Sequence, residues 1–208
     1  MKRGTSNEVK LLLFDFDGTL ADTKKRWFSS ILKVLKREKL YCPECETKVI
    51  IHFGKKIKDV LEMADVSTKE ISRIRNEIYK EFLRKKPKAL NIDALKRIKC
   101  RKFILSNSPR HIIKRVLGKQ IKIFNKVYSE ETFDNKSELI KKLKRKMNLS
   151  LKEVAYVGDR AGDVLTARKA GCLSIIIASR YAWNTKEEIV HEGPDIILRQ
   201  LSDLEKIL

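Results

Sequence analysis

From residue 101 onward, short apolar runs alternate with amphipathic stretches, and this alternation limits the fold more than any other feature of the chain. "KFILSNS", "KVYS", "EVAYVGD", "LSIIIAS" and "DIIL" each read as a strand. Helical spacing fills the intervals, from Pro109 to about Leu117, from about 136 to 147, and from 161 to 170, where Gly171 supplies the stop. A final short helix closes the chain. With an earlier strand at about 9–14, these elements predict a parallel sheet with helices on both faces, a Rossmann-like α/β core. Ligands of such sheets bind beyond the carboxyl ends of the strands.

Residues 23–88 follow a different rule. Trp27, Phe28, Ile31, Leu32 and Leu35 recur at three- and four-residue spacing and predict a helix over 24–39. "YCPEC" breaks it, a shorter helix follows Gly54 at about 56–64, and Ile71, Ile74, Ile78 and Phe82 mark a third over 68–86. Thr68 is expected to cap that third helix, with Lys85, Lys86 and Pro87 at its end. The block is expected to be all-helical and without strands, a cap domain at 23–88 inserted between core segments 1–22 and 89–208.

The first strand runs into two aspartates one residue apart, in "LLLFDFDGTLADT". Alternation puts Asp15 and Asp17 on one side of the strand, where like charges raise each other's pKa and cost stability. Gly18 follows and permits a sharp turn with close backbone approach to a ligand. Two more strands end in polar groups at the same rim: one in Ser106 and Asn107, another in Asp159, with Asp163 one helical turn later. Lys136 opens an intervening helix. Three carboxylates at one rim suit a hard cation such as Mg²⁺, and a hydroxyl, a lysine and backbone N–H groups suit phosphate oxygens. A dication and a phosphoryl group between them would let the paired aspartates coexist.

DFDGT, SNS, a lysine and GDRAGD, in this order and on these elements, resemble the four motifs of the haloacid dehalogenase superfamily. The helical block resembles the helical (C1-type) cap of its phosphoglycolate phosphatase-like branch, and the likeness extends to the tail "GPDIILRQLSDLEKIL". The resemblance implies that Asp15 is the nucleophile and Asp17 the general acid and base. It implies a Mg²⁺ ion on the Asp15 carboxylate, the Asp17 backbone carbonyl and Asp159, with Asp163 as a further metal ligand or an acid just behind the direct ones. Ser106 and Lys136 would complete the catalytic set, and Gly18, Thr19, Ser106, Asn107 and Lys136 would contact substrate. The family's lysine is usually followed by proline, whereas Ser137 follows Lys136, and Lys141 and Lys142 lie nearby. Ser106 stands where relatives often have threonine.

The expected activity is Mg²⁺-dependent hydrolysis of a small phosphorylated metabolite (phosphoglycolate-like, a sugar or a nucleotide phosphate) through an aspartyl-phosphate. A β-phosphoglucomutase-like transferase shares the motifs and is the alternative within the enzyme class. From another class comes a nucleic-acid-associated module, since Lys and Arg total 47 against 27 acids, for a net charge of +20. Residues 96–128 hold eleven Lys and Arg and no acid, but only Phe103, Phe124 and Tyr128 interleave them, so any nucleic-acid contact is expected to be weak and non-specific. A lysine-rich proteome with solvated faces would give the same charge.

Other residues have plainer readings. Cys42 and Cys45, in "CPEC", are expected to be reduced thiols in a turn, the alternative being half of a zinc site with His52. Arg110 reads as a solvated first-turn residue, His111 and His191 as surface, and Trp183 as packing. His52, Lys55 and Lys58 flank Gly54, where related caps carry a substrate-contacting loop, or are ordinary surface residues. Asp163 also fits a helix cap, and Ser106 a turn. No apolar run approaches the roughly 20 residues that span a bilayer, and the first ten residues hold no apolar stretch. The expectation is a cytoplasmic protein with neither membrane contact nor signal peptide, as monomer or homodimer.

Overall fold

A computed structural model describes residues 9–208; most of the N-terminal stretch on which the signal-peptide expectation rests, residues 1–8, lies outside them. The chain begins with β1 (Leu11–Phe14) and a two-residue strand, β2 (Ala21–Asp22). The helical block follows as α1 (Lys24–Arg37), α2 (Pro43–His52), α3 (Ile57–Met63) and α4 (Thr68–Leu83). After β3 (Lys88–Ala89) come β4 (Arg101–Leu105), α5 (Arg110–Leu117), β5 (Lys126–Tyr128), α6 (Lys136–Lys146), β6 (Val154–Gly158), α7 (Ala161–Ala170), β7 (Leu173–Ile177), α8 (Lys186–His191) and β8 (Ile196–Leu198). The short helix expected to close the chain is a 3₁₀ helix at Leu201–Lys206.

Six strands form one sheet in the order β5-β4-β1-β6-β7-β8, with every pairing parallel. β1 is apolar without interruption because both its faces are covered. Leu12 and Phe14 join the cluster containing Ile112, Ile113 and Val116 of α5, while Leu11 and Leu13 meet Ile140 and Leu143 of α6 and Ala167 and Ala170 of α7. The chain leaves β1 for β4 and β5 on one side, then returns to β6 on the other. Such a reversal opens a crevice at the carboxyl ends of the strands beside β1.

The cap departs from the sequence reading in four places. "CPEC" begins a helix: Pro43 occupies the first turn of α2, where its missing N–H costs nothing, and Glu44 and Glu46 sit at the favourable end of the dipole. Cys42 and Cys45 are joined as a disulfide, not free thiols in a turn, because a three-residue step at a helix start brings their Cα atoms to 5.1 Å. Ser67, not Thr68, stands at the N-cap of α4, which ends at Leu83. Finally, Lys88 lies in a strand: Ala21–Asp22 and Lys88–Ala89 pair as an antiparallel ribbon, so both connections to the block run side by side.

Trp27, Ile31 and Leu35 of α1 pack against Ile74, Ile78 and Phe82 of α4 as expected from their spacing, with Val34 joining them while Phe28 and Leu32 lie half-buried. Trp27 stacks on Phe82 with ring centroids 3.9 Å apart. Among the described residues no helix is long and apolar enough to cross a membrane.

Candidate active site

The rim beyond β1, β4 and β6 gathers the polar residues picked out by the motifs. The Asp15 backbone N–H continues the sheet by donating to the Val157 carbonyl (2.8 Å), and the side chain is only 6% exposed. Lys136, first residue of α6, donates from its ammonium to Asp15 Oδ1 and to the Tyr156 hydroxyl, each at 2.7 Å. Lys141, the rival for this place, instead pairs with Glu138 on the outer side of α6. Tyr156 is a residue that sequence reading missed. Its one available signal was a tyrosine in an otherwise apolar strand, since a buried hydroxyl needs a partner.

Asp159 and Asp163 complete the acidic cluster. Thr19 donates to Asp159 Oδ1 at 3.0 Å and the Trp183 backbone N–H to Oδ2 at 2.7 Å, so the Asp159 carboxylate is held from two loops. The Thr19 hydroxyl is thereby committed to Asp159. Asp163 Oδ2 accepts from the backbone N–H groups of Asp159 and Arg160, both at 3.1 Å, so this residue caps the turn while its Oδ1 stays 4.0 Å from Lys136. Gly18 has φ +83°, and a Cβ there would run into the Asp159 carboxylate and the Trp183 ring.

Asp17 lives in different surroundings. Its Oδ1 accepts from the Trp27 indole at 2.7 Å, and its Oδ2 from the Ser108 hydroxyl at 2.6 Å. Ser106 Oγ lies 3.5 Å from Oδ2 and accepts from the Ser108 N–H at 3.0 Å. Asn107 donates to the Gly54 carbonyl at 2.9 Å and so ties the core to the cap. Ser108 was another omission, hidden because its role depends on the loop's curl and not on a spacing.

Electrostatics follow from four carboxylates and one ammonium in a buried place. Burial pushes Asp15 up to about 6 against the opposing charge of Lys136, with Asp163 and Asp17 adding to the rise. Burial also raises Asp17, and raises Asp159 well above the usual carboxylate range. For Lys136, desolvation works to lower the pKa but the charges of Asp15 and Asp163 outweigh it and raise it. One ligand oxygen each from Asp15, Asp159 and Asp163 lies within 4.8 Å of the others, a hard-oxygen set whose surplus negative charge a dication fits.

The cap closes this rim. Phe53, Gly54, Lys55, Ile57 and Val60 face Asp15, Asp17, Arg160 and Trp183 across a chamber of about 20 Å³. Lys55 therefore reaches the chamber, whereas Lys58 pairs with Glu62 on the outside of α3. Trp183 packs as expected, stacked on Phe53 at 4.4 Å, but it also forms a chamber wall.

The family model for haloacid dehalogenase-like hydrolases matches residues 12–177. A phosphoglycolate phosphatase of Vibrio parahaemolyticus is 21% identical over 98% of both chains. A solved structure from Haemophilus somnus, described as a predicted phosphoglycolate phosphatase, superposes with a TM-score of 0.78 at 22% identity, covering 97% of this chain and 98% of its own. A hydrolase structure from Pseudomonas syringae gives a TM-score of 0.77 at 16% identity, covering 95% and 96%. The chain belongs to the haloacid dehalogenase-like hydrolases, on the branch similar to the phosphoglycolate phosphatases, and is a phosphatase.

Proposed function

We propose that the enzyme hydrolyses small phosphomonoesters, phosphoglycolate-like in size, in two steps through an aspartyl-phosphate on Asp15, with Mg²⁺ as cofactor. The observation that carries this reading is the contrast between its two neighbouring aspartates: Asp15 touches only the Lys136 ammonium and the acidic cluster, while Asp17 is hydrogen-bonded to Trp27 and Ser108. The first is placed as a nucleophile and the second as a proton carrier.

An Asp15 oxygen attacks phosphorus while the bond to the leaving oxygen breaks, and Asp17 gives that oxygen its proton. Water then attacks the phosphorus of the acyl phosphate, Asp17 takes one of its protons, and the bond to Asp15 breaks to release inorganic phosphate. Lys136 and Ser106 bind the phosphoryl oxygens, and the closed cap excludes bulk water. Mg²⁺, held by Asp15, Asp159, Asp163 and the Asp17 backbone carbonyl, would supply neutralising charge for the transferring group.

The test is phosphate release from a panel of phosphorylated metabolites, with Mg²⁺ and with chelator. Mg²⁺-dependent turnover of two- and three-carbon phosphomonoesters is the expected result. Release that is indifferent to chelator would refute the metal assignment, and a preference for nucleic-acid termini would refute the substrate class.

A further inference from the structure

Arg160 lies where three spaces meet. It borders the chamber over Asp15, a cleft of about 660 Å³ shared with Phe28, Phe53 and Trp183, and a polar cleft of about 480 Å³ shared with Lys136 and Asp163. Its guanidinium carbon is 5.4 Å from the centroid of the Trp183 ring. On its other side the backbone of Gly54 comes so close that a Cβ there would collide with the guanidinium. A core residue thus reaches into the seam beneath the cap.

Several cations near Arg160 already have partners, whereas Arg160, like the more exposed Lys55, has none among the described residues. Lys136 is paired with Asp15, Lys56 with Asp134, and Lys24 donates to the Trp183 carbonyl. Among the described residues no carboxylate lies within ion-pairing distance of the Arg160 guanidinium. A second donor beside it is also unused: the Trp183 indole Nε1 is buried and has no hydrogen-bond partner. Buried N–H groups are rarely left so, and one that is calls for an explanation. Two donors without a partner, on two residues that both line the chamber and lie against each other, are the chemistry of an oxyanion receptor.

We propose that Arg160 and the Trp183 indole N–H form a second oxyanion site, borne by the core, that reads an anionic group on the leaving group and so determines specificity. This rests on the phosphatase reading above, in which the phosphoryl oxygens are already served by Lys136 and Ser106. The planar fork of a guanidinium matches a carboxylate, and a chamber with room for about one water when closed calls for a compact ligand. A second phosphate offers the same oxyanion chemistry from a bulkier group.

The experiment compares kcat/KM for phosphoglycolate, for its neutral counterpart 2-hydroxyethyl phosphate, and for ethylene glycol bisphosphate, with p-nitrophenyl phosphate as a reference. Wild type should prefer phosphoglycolate to the neutral ester by about tenfold or more, as expected for a charge-assisted pair. Arg160→Gln should bring that ratio close to one, and Trp183→Phe, which keeps the ring and removes the N–H, should lower it severalfold. Taking the ratio within each variant cancels any effect on Asp159 next door. The bisphosphate arm tells whether the site prefers a carboxylate or a second phosphoryl group. A wild-type ratio near one, or a ratio unchanged in both variants, overturns the second site alone. Failure of wild type to release phosphate from any of the four esters overturns the phosphatase reading and this inference with it.

Discussion

The indole N–H of Trp27 donates to the Asp17 carboxylate across 2.7 Å, so a cap helix is hydrogen-bonded to the proton carrier proposed for the core. We propose that closing the cap and setting the orientation of Asp17 are one event. Trp27→Phe keeps most of the stacking on Phe82 while deleting the bond. A hydrogen bond to a charged group contributes about 1.5–3 kcal/mol, so kcat is expected to fall on the order of tenfold with little change in melting temperature. Unaltered kcat in this variant would show that Asp17 does not depend on the cap.

Asp15→Asn should fold normally and lose turnover by a factor on the order of 10⁴ or more, since a neutral amide is no nucleophile. Asp17→Asn should also be severely slowed, yet with an activated aryl phosphate, whose leaving group needs no proton, it should accumulate phosphoenzyme. Intact-mass measurement after mixing detects the added phosphoryl group. Its absence in Asp17→Asn, together with retained turnover in Asp15→Asn, would refute the two-step scheme.

Metal binding and pH are linked through the acidic cluster. In the metal-free protein, burial holds Asp15 at about 6, above its ordinary value of 3.8, so the folded state keeps a proton that the unfolded state releases. Stability from that group is then lost as pH rises from about 4 through about 6. Asp159 is shifted in the same direction. A dication removes the repulsion at higher pH, so the rise in melting temperature on adding Mg²⁺ should be small at pH 5 and clearly larger at pH 7. Asp159→Asn should abolish most of that rise. Equal shifts at both pH values would disprove the linkage.

We propose that the cap opens to admit substrate, since the chamber has room for about one water. The latch opposite the ribbon is Tyr79 of α4, whose hydroxyl donates to the Glu130 carboxylate beyond β5 at 2.8 Å. Tyr79→Phe should loosen it, raising KM and speeding tryptic nicking at the exposed Arg84 and Lys85 near the ribbon. Mg²⁺ with orthovanadate should slow the nicking in both proteins. Identical cleavage rates in wild type and variant would mean that this contact does not govern opening.

The core was legible because its signals are local. Each strand is a short apolar run, Gly171 stops α7 in the left-handed conformation expected of it, and the polar residues fall directly after β1, β4 and β6. α2 was not legible, since "YCPEC" carries both a break signal and a helix start, and only tertiary packing of Cys45 and Val49 decides between them. Nor was the inner wall of the site. Ser108, the Tyr156–Arg160 stretch and Trp183 come from three separate segments, and no spacing along the chain records that they converge. Gly54 was noticed for its place in the cap loop, but its need to accommodate Arg160 exists only across the domain seam.

The excess of 47 Lys and Arg over 27 acids invites a role in nucleic-acid binding, and salt separates that role from the one proposed. Many of these cations are already paired on the surface: Arg37 with Glu77, Lys80 with Glu77, Lys96 with Asp93 and Lys206 with Asp203. The chamber over Asp15 and Asp17, in contrast, has room for about one water beneath the helical block. Non-specific binding to DNA or RNA should therefore be weak and fade steeply between about 50 and 200 mM salt, as counterion release dictates. Turnover of a small phosphomonoester should change far less over that range, because its contacts are short and shielded from solvent. Parallel titrations of oligonucleotide binding and phosphate release measure both slopes on one preparation. If release from a nucleic-acid terminus exceeded that from every small ester at physiological salt, the basic surface would be part of the substrate site and the closed-cap argument would be wrong.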